Sequence, residues 1–202
     1  MMDYPLSLAL VDFLPVIAMA VAVALLIPYV RHPAFAAGGS LAVLGGALKA
    51  VWKLIVASGG PDVEVLSEAQ FFLLGTGFTL MAWALLGVGP GRRPPLWVFA
   101  GFALLGIAAA AAVRDTWPML IVTTVAATLV GIRLLLLARR AGATPAVFLF
   151  GFNLLGTYAM GMLAARPEQT IALQWVEESL NTVNWSAFAL GAWFLTRARP
   201  ID

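Results

Sequence analysis

The sequence predicts an all-α membrane protein with seven transmembrane helices in one domain. Of its 202 residues, 62% are hydrophobic and only 11% are charged, whereas soluble proteins average about 25% charged residues. Mean hydropathy is +0.95. The apolar residues also fall into seven runs, each close to the roughly 20 residues that a membrane-spanning helix needs.

Short stretches rich in proline, glycine or charge separate these runs. The first run has no basic residues before it and no clear cleavage site, so we expect it to be an uncleaved span. Because little sequence remains outside the runs, we interpret residues 1–202 as a single domain. The predicted spans are Leu6 to Val30, Ala34 to Ala57, Ala69 to Val88, Pro95 to Val113, Trp117 to Ala138, Pro145 to Ala165 and Ile171 to Thr196.

The loops alternate in charge along the chain. Those after spans one, three, five and seven are basic, with Arg31, His32, Arg92, Arg93, Arg139, Arg140, Arg197 and Arg199. The opposite loops are mainly acidic, with Asp3, Asp62, Glu64, Glu68, Asp115 and Glu168. The positive-inside rule predicts an outer N-terminus and a cytoplasmic C-terminus, in a bacterial-type inner or plasma membrane. Arg133 is expected to extend to the cytoplasmic headgroups.

Spans three and seven show a faint internal repeat. One offset aligns Glu68 with Glu178, Phe78 with Phe188 and Trp83 with Trp193. Such a match predicts two parallel three-helix units joined by span four, a 3+1+3 arrangement. Chance similarity between leucine- and alanine-rich helices is the alternative interpretation.

The residue inventory excludes several kinds of chemistry. The chain has no cysteine and one histidine, His32, which rules out thiol catalysis and bis-histidine haem. We expect no cofactor and no metal ion. The net charge of +2 lies mainly in short loops, so nucleic acid is not an expected partner. Span seven has no lysine to hold retinal, and the sequence identifies no family.

Charged residues inside the spans are the strongest functional signal. An ionised side chain in the middle of a bilayer costs roughly 2.5 to 3.5 kcal/mol, so such residues are usually paired and functional. Span two contains Lys49 and Lys53, span seven contains Glu177 and Glu178, and span one contains Asp12. Counting along each helix places all five at a similar depth in the outer half. We therefore expect a lysine to contact one of the acids.

Further polar side chains are expected to line the same pocket. Glu177, Asn181 and Asn184 are spaced to share one helix face. The complete predicted binding set is Asp12, Lys49, Lys53, Asn153, Tyr158, Glu177, Glu178, Asn181, Asn184 and Trp185. A structural alternative exists for each member, such as interfacial snorkelling for Lys53 or helix packing for Asn153.

Three functions fit these features. The leading hypothesis is a pocket that binds or transports a small polar or amphiphilic molecule, with the lysines attracting an anionic group. The second is an intramembrane acid/base enzyme that acts on a lipid or isoprenoid. The third is a structural subunit of a membrane complex. Membrane lipid is an expected partner under each hypothesis, and a homo-oligomer is left open.

Overall fold

The computed structural model describes residues 5–89, 92–164 and 170–198, and these residues form helices without strands. The helices are α1 (Leu6–Val11), α2 (Phe13–Val30), α3 (Pro33–Ala57), α4 (Glu64–Leu86), α5 (Leu96–Val113), α6 (Trp117–Arg140), α7 (Thr144–Ala164) and α8 (Ile171–Arg197). Since α1 and α2 are two parts of one interrupted rod, these residues form seven rods in all, which matches the predicted number of spans.

Six of the rods are long and apolar enough to cross a membrane. They are Leu6–Val30, Pro33–Ala57, Glu64–Leu86, Leu96–Val113, Trp117–Arg140 and Thr144–Leu163. The chain is therefore a multi-pass membrane protein. The seventh rod, α8, is outside this set because polar residues such as Glu177, Glu178 and Asn184 lower its hydropathy. Its 27 residues nevertheless extend about 40 Å, which exceeds the thickness of a bilayer core.

The observed helix ends lie within two residues of the predicted ones with a single exception. Helix α4 begins at Glu64, five residues before the predicted start at Ala69. A carboxylate is favourable in the first turn of a helix, and the Ser67 hydroxyl donates a hydrogen bond to the Glu64 carbonyl there at 2.8 Å. The prediction was too short because it counted only apolar residues.

The first rod is interrupted at Asp12, between α1 and α2. Pro15 follows three residues later and has no backbone N–H to donate to the Val11 carbonyl. Its ring also crowds that carbonyl, which interrupts regular helical hydrogen bonding. The break places Asp12 at the junction of the two helical segments, where its side chain points into the protein and is only 4% exposed.

Six rods pack as a closed ring, and α5 lies outside it. Around the ring, each of α2, α3, α4, α6, α7 and α8 contacts the next, and α8 contacts α2 again. Among the described residues, α5 packs mainly against α4 and α6. The ring encloses an apolar core to which each of its helices contributes, including Leu26, Phe35, Met81, Leu134, Phe150 and Leu195.

Helices α3 and α4 approach more closely than ordinary side chains allow. A Cβ atom at Gly38 would lie 2.5 Å from the Gly77 carbonyl oxygen, and one at Gly77 would lie 2.6 Å from that of Gly38. The two backbones are therefore in direct contact, as is common where small residues meet in membrane helices. This pairing fixes α3 tightly in the ring and so positions its lysines.

The two ends of the ring differ in charge. One end, called the acidic end below, contains the α3–α4 and α5–α6 connections with Asp62, Glu64 and Asp115. The other, called the basic end, contains the α2–α3, α4–α5 and α6–α7 connections. Contacts across helices hold the basic end together, among them the edge-on packing of His32 against Trp83 with ring centroids 5.1 Å apart.

Candidate functional site

Lys53 lies at the centre of a buried ionic cluster near the acidic end. Its ammonium nitrogen is 2.5 Å from Glu178 Oε1 and 3.1 Å from Asp12 Oδ2. The exposed fractions are 2% for Lys53, 4% for Asp12 and 3% for Glu178. The contact expected between a lysine of span two and the acids of spans one and seven is therefore present. We call Asp12, Lys53 and Glu178 the ionic cluster.

Three separate helices bring these side chains to one level. Asp12 lies at the break between α1 and α2, Lys53 is four residues before the end of α3, and Glu178 is seven residues after the start of α8. At 1.5 Å per residue, the latter two lie about 6 and 10 Å inside their helix ends. The cluster thus joins the two ends of the chain, since α8 packs against α2.

The cluster contains more negative than positive groups. Asp12 and Glu178 both face the ammonium nitrogen of Lys53, which is the one cation within 4 Å of either carboxyl group among the described residues. Such pairing stabilises a buried lysine, because its attraction to the carboxyl groups offsets the cost of removing it from water.

Lys49 lies one helical turn from Lys53 but is not a member of the cluster. It is half-buried, and its charge acts on both Asp12 and Glu178. In the part of the chain that the structure describes, however, the only ion pairs within 4 Å are those of Lys53. The sequence predicted both lysines at a similar depth, and depth alone did not identify the lysine that is paired.

The ionic cluster leaves two buried oxygens without hydrogen-bond partners. Asp12 Oδ2 lies at ion-pair distance from Lys53 but is not aligned for a hydrogen bond, and Glu178 Oε2 has no hydrogen-bond partner. Buried polar atoms in folded proteins are almost always hydrogen bonded. These two oxygens can therefore accept hydrogen bonds that the protein itself does not supply.

A second polar cluster lies between α7 and α8. Asn153 donates a hydrogen bond from Nδ2 to the Asn184 backbone carbonyl at 3.1 Å. Both asparagines are buried, and Asn184 Oδ1 has no hydrogen-bond partner. Gly156 makes room for it, since a Cβ atom there would lie 2.2 Å from this oxygen. We call Asn153 and Asn184 the amide cluster.

A cavity of about 40 Å³ adjoins the amide cluster. It is lined by Phe152, Gly156, Ala159, Met160, Leu180 and Asn184. A space of this size holds a single water molecule, not a substrate. The role of Gly156 was not predicted, because a glycine in a membrane helix indicates close packing without naming the side chain that uses the space.

The two clusters lie on different faces of α8. Glu177 shares a face with Asn181 and Asn184, whereas Glu178 is rotated from it by about 100°. Glu177 and Asn181 are half-buried, and Glu177 Oε1 is a further buried oxygen without a hydrogen-bond partner. The single pocket expected from the sequence is thus divided into two neighbouring polar regions along one helix.

The remaining two predicted residues lie elsewhere. Trp185 packs in the bundle interior, stacked on Phe78 with ring centroids 6.1 Å apart and edge-on to Phe188 at 5.3 Å. Tyr158 is 45% exposed, and its hydroxyl hydrogen bonds with that of Thr128 at 2.7 Å. Tyr158 therefore links α6 to α7 at the periphery, and neither residue contacts the ionic cluster.

Comparison with known proteins adds no further assignment. No protein-family model, curated protein or solved structure matches the chain.

Proposed function

We propose that the protein binds or transports a small polar or amphiphilic molecule, and that the ionic cluster is the closed form of its binding site. The observation that carries this proposal is the pair of buried oxygens without hydrogen-bond partners in the ionic cluster, Asp12 Oδ2 and Glu178 Oε2. A purely structural cluster gains stability by satisfying such atoms, since each one left unsatisfied costs about 1 to 3 kcal/mol. A ligand that hydrogen bonds to them recovers that free energy.

The chemistry of these atoms indicates what the ligand carries. Both are acceptors, so the ligand contributes donors such as an amine, an ammonium group or hydroxyls. The sequence had suggested an anionic ligand for the lysines, but Lys53 is already engaged by two carboxyl groups. In this proposal, a cationic ligand displaces Lys53 from those carboxyl groups.

In this proposal, α8 is the seventh membrane span and the N-terminus is outside. Its length and its packing between α2 and α7 support a spanning position. The basic connections then face the cytoplasm, and the ionic cluster opens towards the outer side. A reporter fused after residue 202 tests this orientation, because a reporter that works only in the cytoplasm is expected to be active there. Activity of a periplasmic reporter at the same position would reverse the assignment.

The order of helices in the ring supports the proposed parallel repeat. In the repeat, span one corresponds to span five, span two to span six and span three to span seven. The contact between α4 and α6 then corresponds to the contact between α8 and α2, and both contacts are present in the ring. The aligned Trp83 and Trp193 each pack beneath an arginine, Arg93 at 4.9 Å and Arg197 at 4.1 Å. The test is a superposition of the two three-helix units, which should fit without inversion and better than other helix triplets of the ring.

A thermal-stability screen tests the binding function. The purified chain in detergent is heated with ethanolamine, glycine or glycerol at several concentrations, because ligands that bind the folded state raise the melting temperature. We expect an amine to stabilise the wild type but not Glu178→Gln. The matched control is Glu68→Gln, which removes an exposed acid at the aligned position of α4 and should keep the response.

The near-complete burial of the ionic cluster favours one competing function, that of a structural ion pair. A structural role predicts that none of the three compounds stabilises the wild type. It also predicts that replacing Asp12, Lys53 and Glu178 together by Asn, Met and Gln leaves the cellular phenotype of the wild type intact. That combined result would contradict the binding proposal.

A further inference from the structure

We propose that the basic end binds an anionic phospholipid, with an acyl chain in the groove between α4, α5 and α6 and the phosphate beside Arg133 and Arg140. This site is separate from both polar clusters of α8. It is formed by a different set of helices and at the opposite end of the ring, and the proposal is independent of the proposed function.

The groove is suited to a hydrocarbon chain. It has a volume of about 220 Å³ and is lined by Thr79, Val98, Phe99, Phe102, Val125, Ala126 and Leu129. The one polar side chain among these is Thr79, whose hydroxyl already donates a hydrogen bond to the Gly75 carbonyl at 2.6 Å. The groove therefore offers no free hydrogen-bond donor to a polar ligand, and a ligand in it is stabilised by apolar contact.

Two arginines continue the groove towards the basic end. Arg133 and Arg140 follow Leu129 by four and eleven residues, which keeps all three on one face of α6. Arg133 donates hydrogen bonds to the carbonyls of Leu85, at 3.2 Å, and Val88. At Gly89, Arg140 Nη1 and Arg133 Nη2 lie 3.7 and 3.9 Å from the point where a Cβ atom would be. Both guanidinium groups thus converge on the α4–α5 connection.

No described acid balances the charge at this end. The carboxylates of residues 5–89, 92–164 and 170–198 all lie towards the acidic end, and the ion pairs of these residues all involve Lys53. Arg93 adds a third guanidinium nearby, stacked over Trp83 at 4.9 Å. Arginine clusters of this kind bind phosphate groups. Because the apolar groove begins one turn from Arg133, the ligand that satisfies both features is a lipid with an anionic headgroup.

Native mass spectrometry of the full chain in detergent tests this site. The probes are phosphatidylglycerol and phosphatidylcholine with identical acyl chains, added at equal concentration. We expect the wild type to retain about fivefold more phosphatidylglycerol, given the attraction of each basic residue for anionic lipid. Equal retention of the two lipids would overturn the proposal.

Two pairs of variants locate the binding. Arg140→Gln should abolish the preference for phosphatidylglycerol, whereas Arg139→Gln, an exposed neighbour on another face of α6, should preserve it. Leu129→Trp fills the groove and should reduce retention of phosphatidylglycerol, whereas Leu105→Trp places the same bulk on α5 outside the groove, where Leu105 is 69% exposed. If the two variants of either pair changed the retention of phosphatidylglycerol equally, lipid would associate with the whole surface, and the proposed site would be wrong.

Discussion

The acidic and basic ends of the helix ring hold their charged side chains in opposite ways. Near the acidic end, Lys53 is sealed from solvent and paired with carboxyl groups from two other helices. At the basic end, Arg133 uses the backbone carbonyls of Leu85 and Val88, at and just beyond the end of α4, as its partners, and Arg140 remains exposed. Lys53 is thus paired with carboxyl groups inside the ring, whereas the arginines leave a positive field at the basic end.

This difference follows from the chemistry of the two cations. The arginine guanidinium has five donors in a fixed plane and remains charged, so it can satisfy the unpaired carbonyls at a helix end and still attract an anion. The lysine ammonium is a compact charge that is costly to bury unless carboxylates surround it. Depth in the span does not explain why the lysine is sealed and the arginines are not, because Lys53 is nearer to its helix end than Arg133. The available partners on neighbouring helices decide the outcome.

The largest expected effect comes from removing Lys53. Lys53→Met leaves Asp12 and Glu178 in hydrocarbon without a counter-charge and should lower the free energy of unfolding by about 3 to 5 kcal/mol. Thermal or denaturant unfolding in detergent measures this loss. The control is Lys49→Met, which removes a half-buried lysine without an ion pair and should cost about 1 kcal/mol or less.

A combined variant separates pairing from packing at the same position. Replacing Asp12, Lys53 and Glu178 by Asn, Met and Gln removes every charge of the cluster, so its loss of stability should be smaller than that of Lys53→Met alone. Additive losses would mean that the three side chains do not interact, and the contrast between the two ends would disappear.

The next largest effect is expected at Arg133. Arg133→Gln removes a charged donor from the carbonyls of Leu85 and Val88 and should lower the free energy of unfolding by about 1.5 to 3 kcal/mol. Arg139→Gln, which replaces an exposed arginine on the same helix, should have little effect. A loss at Arg133 as large as that at Lys53 would show that carbonyl partners and ionic partners stabilise the two ends equally.

The helices were predictable because hydropathy distinguishes segments that lie in the membrane from segments that lie in water. Long apolar runs and charged loops defined every rod, and an error arose only where polar residues extend a helix beyond its apolar part, as at Glu64. The position of α5 outside the ring was not predictable. Its residues are as apolar as those of the ring helices, and a helix surrounded by lipid cannot be distinguished from one in the core by composition.

The sequence predicted which residues belong to the site better than which of them contact one another. Counting residues placed Asp12, Lys53 and Glu178 at one depth, and the structure joins them. The same counting included Tyr158, which lies at the periphery. It also assigned Glu177 and Glu178 to one pocket, although adjacent residues on a helix face about 100° apart. Helical rotation determines which neighbour each side chain meets, and the rotation of a membrane helix depends on its packing partners.

A smaller effect is expected in the amide cluster, which carries no charge. Asn153→Leu removes one hydrogen bond to the Asn184 carbonyl and should cost about 1 kcal/mol. Unfolding measured in the same detergent allows direct comparison with Lys53→Met. Asn153→Asp keeps the size of the side chain but places a carboxyl group against the Asn184 carbonyl, so its loss of stability should be larger than that of Asn153→Leu. If Asn153→Leu were as harmful as Lys53→Met, the neutral cluster would be the main polar anchor of α8.

The smallest effect concerns the pH dependence of the basic end. His32 accepts a hydrogen bond at Nδ1 from the Ala34 amide at 3.2 Å, which requires an unprotonated nitrogen. Partial burial, with the nearby Arg93 charge, lowers the pKa of His32 below its ordinary value of 6.5. Above pH 6.5 the imidazole is neutral in both folded and unfolded chains, so its contribution to stability is complete there.

As the pH falls below 6.5, the unfolded chain takes up the proton first, and stability should decline until the folded pKa is reached. His32→Asn keeps a side-chain acceptor at the start of α3 but does not titrate. The melting temperature of the wild type should therefore fall relative to this variant between pH 7 and pH 5. Since His32 is the only histidine, its imidazole resonance is unique, and an NMR titration measures its pKa directly. A midpoint above 6.5 would mean that a negative group near His32 neutralises part of the positive charge of the basic end. The two ends would then differ less in their balance of charge than the structure indicates.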